Sequence, residues 1–169
     1  MLSNKIQDAL NQQIGEEDYA SHYYLSMASW LDKTGLHGSA RFLYGHAEQE
    51  RAHMMKLFRY LNDAGGHAFV HAVKEPARDF QSLSEIMELV LQHEQVVTKS
   101  INALVDTCLS EKDFSTFNFL QWYVAEQHEE ERLFMSILDI IKIAGTDGRG
   151  LFFIDKEIAG LAEASIKKH

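Results

Sequence analysis

The chain has 169 residues, 46% hydrophobic and 24% charged, a balance that excludes a largely disordered polymer and leaves room for one domain with a sizeable core. The 16 Lys+Arg against 25 Asp+Glu give a net charge of −9; such a surface repels phosphate, which argues against nucleic acid or an anionic membrane as partner, and attracts cations. The single cysteine, Cys108, excludes an internal disulfide and a thiolate zinc cluster, no apolar run is long enough to span a membrane, and no signal-peptide core opens the chain, so a cytoplasmic protein is expected.

Breakers are few, and Pro76 is the only proline, which permits long helices. The spacing of apolar residues in steps of three and four predicts a first helix over 4–33, through Ile6, Leu10, Gln13, Glu17, Ala20, Tyr24, Met27 and Leu31. Asn4, three residues before Gln7, is its expected cap. A second helix is predicted over 37–64, after the Gly35–Gly38 break, through Leu43, Ala47, Glu50, Met54 and Leu57, with Gly65 at its C-terminal cap. A third covers 83–111, capped by Ser82 with Glu85, and carries Ile86, Val90, Glu94, Val97 and Ile101. A fourth covers 115–144, through Leu120, Val124, Gln127, Glu130, Phe134 and Ile137, and stops at Gly145. A short, strongly apolar fifth helix is predicted over 151–166.

Short links make the first and second helices antiparallel, and likewise the third and fourth. The link from 65 to 82 can reach roughly 60 Å when extended, whereas each helix is roughly 40 Å long. It can therefore travel the length of the molecule. The expectation is an all-α fold over residues 1–169: a four-helix bundle of the ferritin-like connectivity, with a long crossover between the second and third helices and a short C-terminal fifth helix.

Glu17, Glu50, Glu94 and Glu130 interrupt the apolar stripes. One such acid is ordinarily a surface residue at the stripe edge. Four of them, each within about three residues of the midpoint of its helix, share one level of the bundle whichever way each helix runs. Buried carboxylates at one level repel one another and cost several kcal/mol each in lost hydration. Either they take up protons or cations neutralise them, and two divalent ions would cancel four charges. His53 favours cations. Glu50-Arg-Ala-His53 puts a carboxylate and an imidazole on one helix face, and together with three convergent acids this is a metal-ligand arrangement of the di-iron carboxylate kind.

Three segments carry a resemblance: Phe42-Leu-Tyr-Gly-His-Ala-Glu-Gln-Glu-Arg-Ala-His53, the run from Phe117 to Glu131 (Phe-Asn-Phe-Leu-Gln-Trp-Tyr-Val-Ala-Glu-Gln-His-Glu-Glu-Glu), and Gly150-Leu-Phe-Phe-Ile-Asp-Lys-Glu157. Over essentially its whole length the sequence resembles the bacterial non-haem ferritins. It is less like the bacterioferritins, which have a second Glu-x-x-His where this chain has Gln127-His-Glu-Glu130.

The resemblance implies iron storage with ferroxidase activity: Fe(II) oxidised by dioxygen or peroxide at a di-iron centre, and Fe(III) kept as a mineral inside a homo-oligomeric cage of roughly 24 subunits. Glu17, Glu50 and His53 would hold the first iron. Glu50 would bridge to a second, weaker position formed by Glu94 and Glu130, with Gln127 close by. Tyr24 would bond to this group or donate an electron; as a bare residue it reads equally as a core aromatic. A third iron position would use Glu126, Glu129, Glu130 and residue 49, weakened because Gln49 is neutral. Trp122 reads as packing, and His46 either as a partner bonded to a ligand or, the simpler reading, as a polar stripe edge. Two other readings stay open on the residues alone. One is a di-iron oxidoreductase or peroxidase of the same fold that stores no iron; the other is a non-catalytic helical module whose central acids are protonated.

Overall fold

The computed structural model describes residues 2–166, and side chains as far as residue 162. The ends of the expected 1–169 domain, residue 1 and residues 167–169, lie outside the described residues. Five helices follow one another: α1 (Asn4–Lys33), α2 (His37–Asp63), α3 (Leu83–Ser110), α4 (Phe114–Ala144) and α5 (Gly148–Ile166).

The helix ends refine the sequence expectations. Ser3, not Asn4, caps α1, its Oγ accepting from the Ile6 N–H at 3.3 Å. Ser82 caps α3 through the Glu85 N–H at 3.1 Å, as expected, while Glu85 takes the return bond from the Gln81 N–H at 2.5 Å. Asp113 caps α4 through the Thr116 N–H at 3.0 Å, so α4 begins one residue before the expected start. The expected start of α5 is three residues late, because Gly148 and Gly150 belong to its first turn. Asp147 Oδ1 accepts from the Gly150 N–H at 2.7 Å, which supplies the cap that a glycine-rich run lacks. Gly145 closes α4 at φ +75°, a conformation that other residues adopt at a cost.

The crossover between α2 and α3 runs along α1. The His67 N–H donates to Gln7 Oε1, the Asn11 side chain bonds both His67 O and the Phe69 N–H, and Ser26 Oγ donates to Ala77 O. These contacts climb from residue 7 to residue 26 of α1, a rise of about 28 Å. The connection therefore spans most of the bundle, as its length predicts.

α5 closes one end. Its Asp155 carboxylate accepts from the Gly38 and Ser39 N–H groups at 3.0 and 2.7 Å, an anion at the α2 N-terminus, where the helix dipole favours it. A Cβ at Gly38 would lie 2.3 Å from the Asp155 carbonyl oxygen, so the two helices approach closely only over glycine. Ile154 and Ile158 are buried beneath α5.

The apolar core is in two parts. One, beside α5, contains Tyr24, Met27, Leu31, Leu43, Ala47, Ile86, Val90, Phe134 and Ile137. The other, at the opposite end, contains Ile6, Leu10, Ile14, Leu57, Leu61, Val97, Ile101, Leu120 and Tyr123. On each of the four long helices the residues between the two parts are polar: Glu17, Glu50 with His53, Glu94, and Gln127 with Glu130.

Candidate metal centre

All four acids point inward. Glu17, Glu50, Glu94 and Glu130 are at most 4% exposed, and Gln127 is 2% exposed. That placement disposes of the surface-edge reading, because a solvated glutamate keeps most of its carboxylate in water. His53 is buried with them, its Nδ1 3.2 Å from Glu50 Oε2 and 3.8 Å from Glu17 Oε2. The i, i+3 spacing of Glu50 and His53 on α2 puts both on the face that meets Glu17 of α1. Among the described residues, Glu17, Glu50 and His53 form the one group of three whose ligand atoms lie within 4.8 Å of one another, as a metal ion requires.

The oxygens on this side are unsatisfied. Glu17 Oε2 and Glu50 Oε1 are buried without a hydrogen-bond partner. Glu17 Oε1 is held by the Gln13 amide at 2.5 Å, and Gln13 is itself fixed by Ser100 Oγ at 2.7 Å. Burial pushes the Glu17 carboxyl well above its ordinary range, and the adjacent Glu50 carboxylate adds to the rise. Burial lifts Glu50 likewise, with Glu94 as the next contributor. An unpartnered buried carboxylate oxygen costs stability that a cation recovers.

Glu94 and Glu130 lie at the same level but face protein donors. The Tyr24 hydroxyl donates to Glu94 Oε1, and the Gln127 amide to Glu94 Oε2 at 3.0 Å. Burial first, then Glu130, lifts the Glu94 pKa to about 7, against the pull of those two donors. Glu130 moves the other way. Burial raises it, but the His46 imidazole outweighs that and holds the carboxyl below its ordinary range.

His46 corrects the sequence expectation of a polar stripe edge. It is 3% exposed, with Nε2 3.2 Å from Glu130 Oε2 and Nδ1 3.2 Å from Phe42 O. Two oxygen acceptors on the two ring nitrogens suit the protonated ring. Burial opposes that charge, and the Glu130 bond overcomes it, so the His46 pKa is raised. Trp122 packs as expected, stacked on Tyr123 with ring centroids 4.6 Å apart and beside the His53 ring at 5.4 Å.

The group around residue 49 is only partly assembled. The Gln49 amide donates to Glu126 Oε1 at 2.8 Å and to Glu130 Oε1 at 3.0 Å. Glu126 is half-buried, while Glu129 is exposed. Between α2 and α4 a cleft of about 630 Å³ reaches this group, lined by His46, Gln49, His53, Lys56, Trp122 and Glu126 among others.

Sequence reading gave no role to Gln13 or Tyr123. Gln13 stands four residues before Glu17 in the same stripe, and that spacing is the signal that marks it as a partner. Tyr123, whose hydroxyl is buried unpartnered beside Glu17, looks like any core aromatic in sequence.

The family model for the ferritin-like domain matches residues 7–144. A bacterial non-heme ferritin of Campylobacter jejuni is 49% identical over 162 residues, covering 96% of this chain and 97% of that protein. The ferritin of Chlorobium tepidum superposes with a TM-score of 0.84 at 51% identity, over 94% of this chain and 97% of the other. An open pore ferritin from the hyperthermophilic archaeon Archaeoglobus fulgidus superposes with a TM-score of 0.92 at 43% identity, over 94% and 98% of the two chains.

Proposed function

The chain belongs to the ferritin family, and from that premise we propose how the residues of its polar layer divide the work. As a ferritin it stores iron and has ferroxidase activity. Iron is the substrate and the cargo. The observation that carries the site assignment is the pair of unpartnered, fully buried carboxylate oxygens on Glu17 and Glu50 beside the His53 imidazole.

Glu17, Glu50 and His53 take the first Fe(II), with hard oxygens for charge and an imidazole for affinity toward the divalent state. Glu50 faces Glu94 and Glu130 as well, and a second Fe(II) fits between Glu50 and those two, with Gln127 alongside. This second ion has to displace the Tyr24 and Gln127 hydrogen bonds from Glu94, so it binds more weakly. Binding expels protons, because Glu17, Glu50 and Glu94 hold them more tightly than ordinary carboxyls do. The two Fe(II) ions give one electron each to dioxygen. The residues fix the distance between the ions and keep the reaction away from bulk water. Few ligands and weak second-position binding allow Fe(III) to leave for a mineral. The cleft between α2 and α4 is the path of exchange, and Gln49, Glu126 and Glu129 make at most a weak third stopping point on it.

A mineral needs a container. Phe152, Phe153 and Ile143 at the α4–α5 end, and Phe69 and Val70 in the crossover, are exposed on the single chain, large apolar side chains of the kind that association between subunits buries. Burying it between subunits gives a homo-oligomer, and we assign a closed cage of roughly 24 copies. Among the described residues, no helix is long and apolar enough to cross a membrane. The buried, unpaired Cys108 suits a reducing cytoplasm.

Aerobic iron loading followed by size-exclusion chromatography with light scattering tests the assignment. The expected particle contains roughly 24 chains and retains far more iron than its ligands alone can bind. A small species that turns over Fe(II) without retaining iron would overturn storage, and one that binds no iron would overturn the whole reading.

A further inference from the structure

We propose that Gln13 and Ser100 form a clamp that holds Glu17 to ligation through one oxygen, so that the first metal position keeps an open coordination place and a limited grip on Fe(III). The proposal rests on the ferroxidase reading above and adds two positioning residues to it.

Gln13 stands one turn before Glu17 on α1 and is 1% exposed. Its Nε2 donates to Glu17 Oε1 at 2.5 Å, and its own Oε1 accepts from Ser100 Oγ of α3 at 2.7 Å. With the amide oxygen turned to Ser100, the NH2 end faces the acid. Glu17 Oε1 is thereby taken, while Oε2 stays unpartnered on the side of His53, whose Nδ1 lies 3.8 Å away. A metal ion therefore meets one available oxygen of this carboxylate. The Gln13 bond lies on the other oxygen, so it survives when the first ion binds, unlike the bonds to Glu94 that a second ion displaces. Packing does not require the amide. Leucine or methionine would occupy similar volume in this buried stripe without polar atoms that must be satisfied there.

The chemistry has a use for such a clamp. A carboxylate can hold a metal ion through one oxygen or through both. Chelation through both adds a contact and fills a coordination place. That suits a protein that retains its metal, whereas this chain takes Fe(II), lets dioxygen reach it and releases Fe(III), which calls for an open place. The charge-assisted bond from Gln13 stabilises the carboxylate with Oε1 turned away from the metal. To chelate, Glu17 would have to break that bond and leave a buried amide unpartnered, a cost that opposes the second contact. Ser100 raises this cost, because an amide held at both ends cannot follow the carboxylate.

Co(II) is the redox-silent probe. The assembled protein is loaded anaerobically with one Co(II) per chain. Its visible absorption and its loss to excess chelator are followed in the wild type, Gln13→Leu, Ser100→Ala and Ser100→Thr. In Gln13→Leu, Glu17 Oε1 is free to join the ion. Absorption per bound Co(II) should then fall several-fold, since it weakens as coordination rises toward six, and Co(II) should leave about tenfold more slowly. Recovery of rapid Fe(II) oxidation between successive iron additions should slow in the same variant. Ser100→Ala should move every readout the same way by less, and Ser100→Thr, which keeps the hydroxyl, should restore them. A bond that merely stiffens Glu17 gives the opposite sign, with weaker binding and faster loss of Co(II). That result, or absorption and loss unchanged in Gln13→Leu, would overturn the clamp and leave the first metal position standing. Should Gln13→Leu fail to assemble, Ser100→Ala decides by the same sign. Wild-type protein that takes up no Co(II) tightly would overturn the ferroxidase site and the clamp with it.

Discussion

On the α1–α2 side of the polar layer, Glu17 Oε2 and Glu50 Oε1 are buried with no partner. On the α3–α4 side, the carboxylate oxygens of Glu94 and Glu130 are taken up by Tyr24, Gln127, His46 and Gln49. The same residue type, at the same level of the same bundle, is left in opposite states. The difference follows from the neighbours that each helix offers. α1 and α2 set acids against an imidazole that reaches two of them, whereas α4 contributes an amide one turn before its acid, and α2 sends a second imidazole and a second amide across to it. A cation finds one free oxygen on each acid of the first side and none on the second, so filling should be sequential.

The largest test removes the side that is ready for metal. His53→Ala should weaken the tighter binding event by about 100-fold and slow rapid Fe(II) oxidation comparably, because the remaining ligands lose their fixed geometry. Glu94→Ala should leave the tighter event within a few-fold of wild type and remove the weaker one. Anaerobic titration with Fe(II), or with Zn(II) as a redox-silent probe, separates the two. Equal loss of both events in both variants would mean that the layer acts as one indivisible site.

Protonation gives a second, smaller test. Glu17, Glu50 and Glu94 have raised folded-state pKa values, Glu94 to about 7. Above the ordinary carboxylate range, the folded chain therefore holds protons that the unfolded chain has released, and stability falls as pH rises. His46, also raised, acts in the same direction: its contribution is complete below the ordinary imidazole value and is lost as pH climbs through the folded one. Glu130 is lowered, so its contribution is present above the ordinary carboxylate range and is lost only as pH falls below it. Metal-free protein should thus melt lower at pH 8 than at pH 6. A shift like that of Glu94 is worth about 3 kcal/mol over the whole range from the unfolded to the folded value, of which roughly 1 kcal/mol is lost between pH 6 and 8, or a few degrees in a chain of this size at roughly 2–4 °C per kcal/mol. Glu50→Gln should flatten the dependence and raise the metal-free melting temperature at pH 8. A metal-free protein that grows more stable from pH 6 to 8 would contradict the assignment of these acids as buried and metal-seeking.

The contrast also marks what a sequence makes legible. The level of the four acids could be read because helix midpoints coincide in any bundle, and the 3.6-residue period fixes which face each acid occupies. The crossover could be read because its length exceeded what a turn needs. The hydrogen bonds that distinguish the two sides could not. His46 reaches Glu130 from another helix, 84 positions away in sequence, and its stripe position fits a surface edge as well as a buried ion pair. The α5 boundary was misplaced for a local reason: glycines that look like a break are tolerated in a first turn when an aspartate caps it.

The smallest effect concerns Gln49, where the two sides meet. Its amide donates to Glu126 and Glu130 together, and so lies where a cation shared by those carboxylates would lie. The amide brings partial positive charge without a full one, which settles the two acids and removes part of their demand for metal. Gln49→Glu reverses this: three carboxylates then face one another across the α2–α4 cleft, and their mutual repulsion restores the demand. The variant should strengthen the weak third position into a distinct binding event per chain, still weaker than the first two, with the tightest event unchanged because Glu17 Oε2 and Glu50 Oε1 are untouched. In metal-free protein it should cost stability, by about 1–3 kcal/mol, for loss of two hydrogen bonds to charged acceptors and gain of a like charge. Titration of both chains under the same conditions decides the matter. A full third event of equal affinity in the unaltered chain would show that the amide swings aside freely, and that the satisfied side of the layer is less closed than its hydrogen bonds imply.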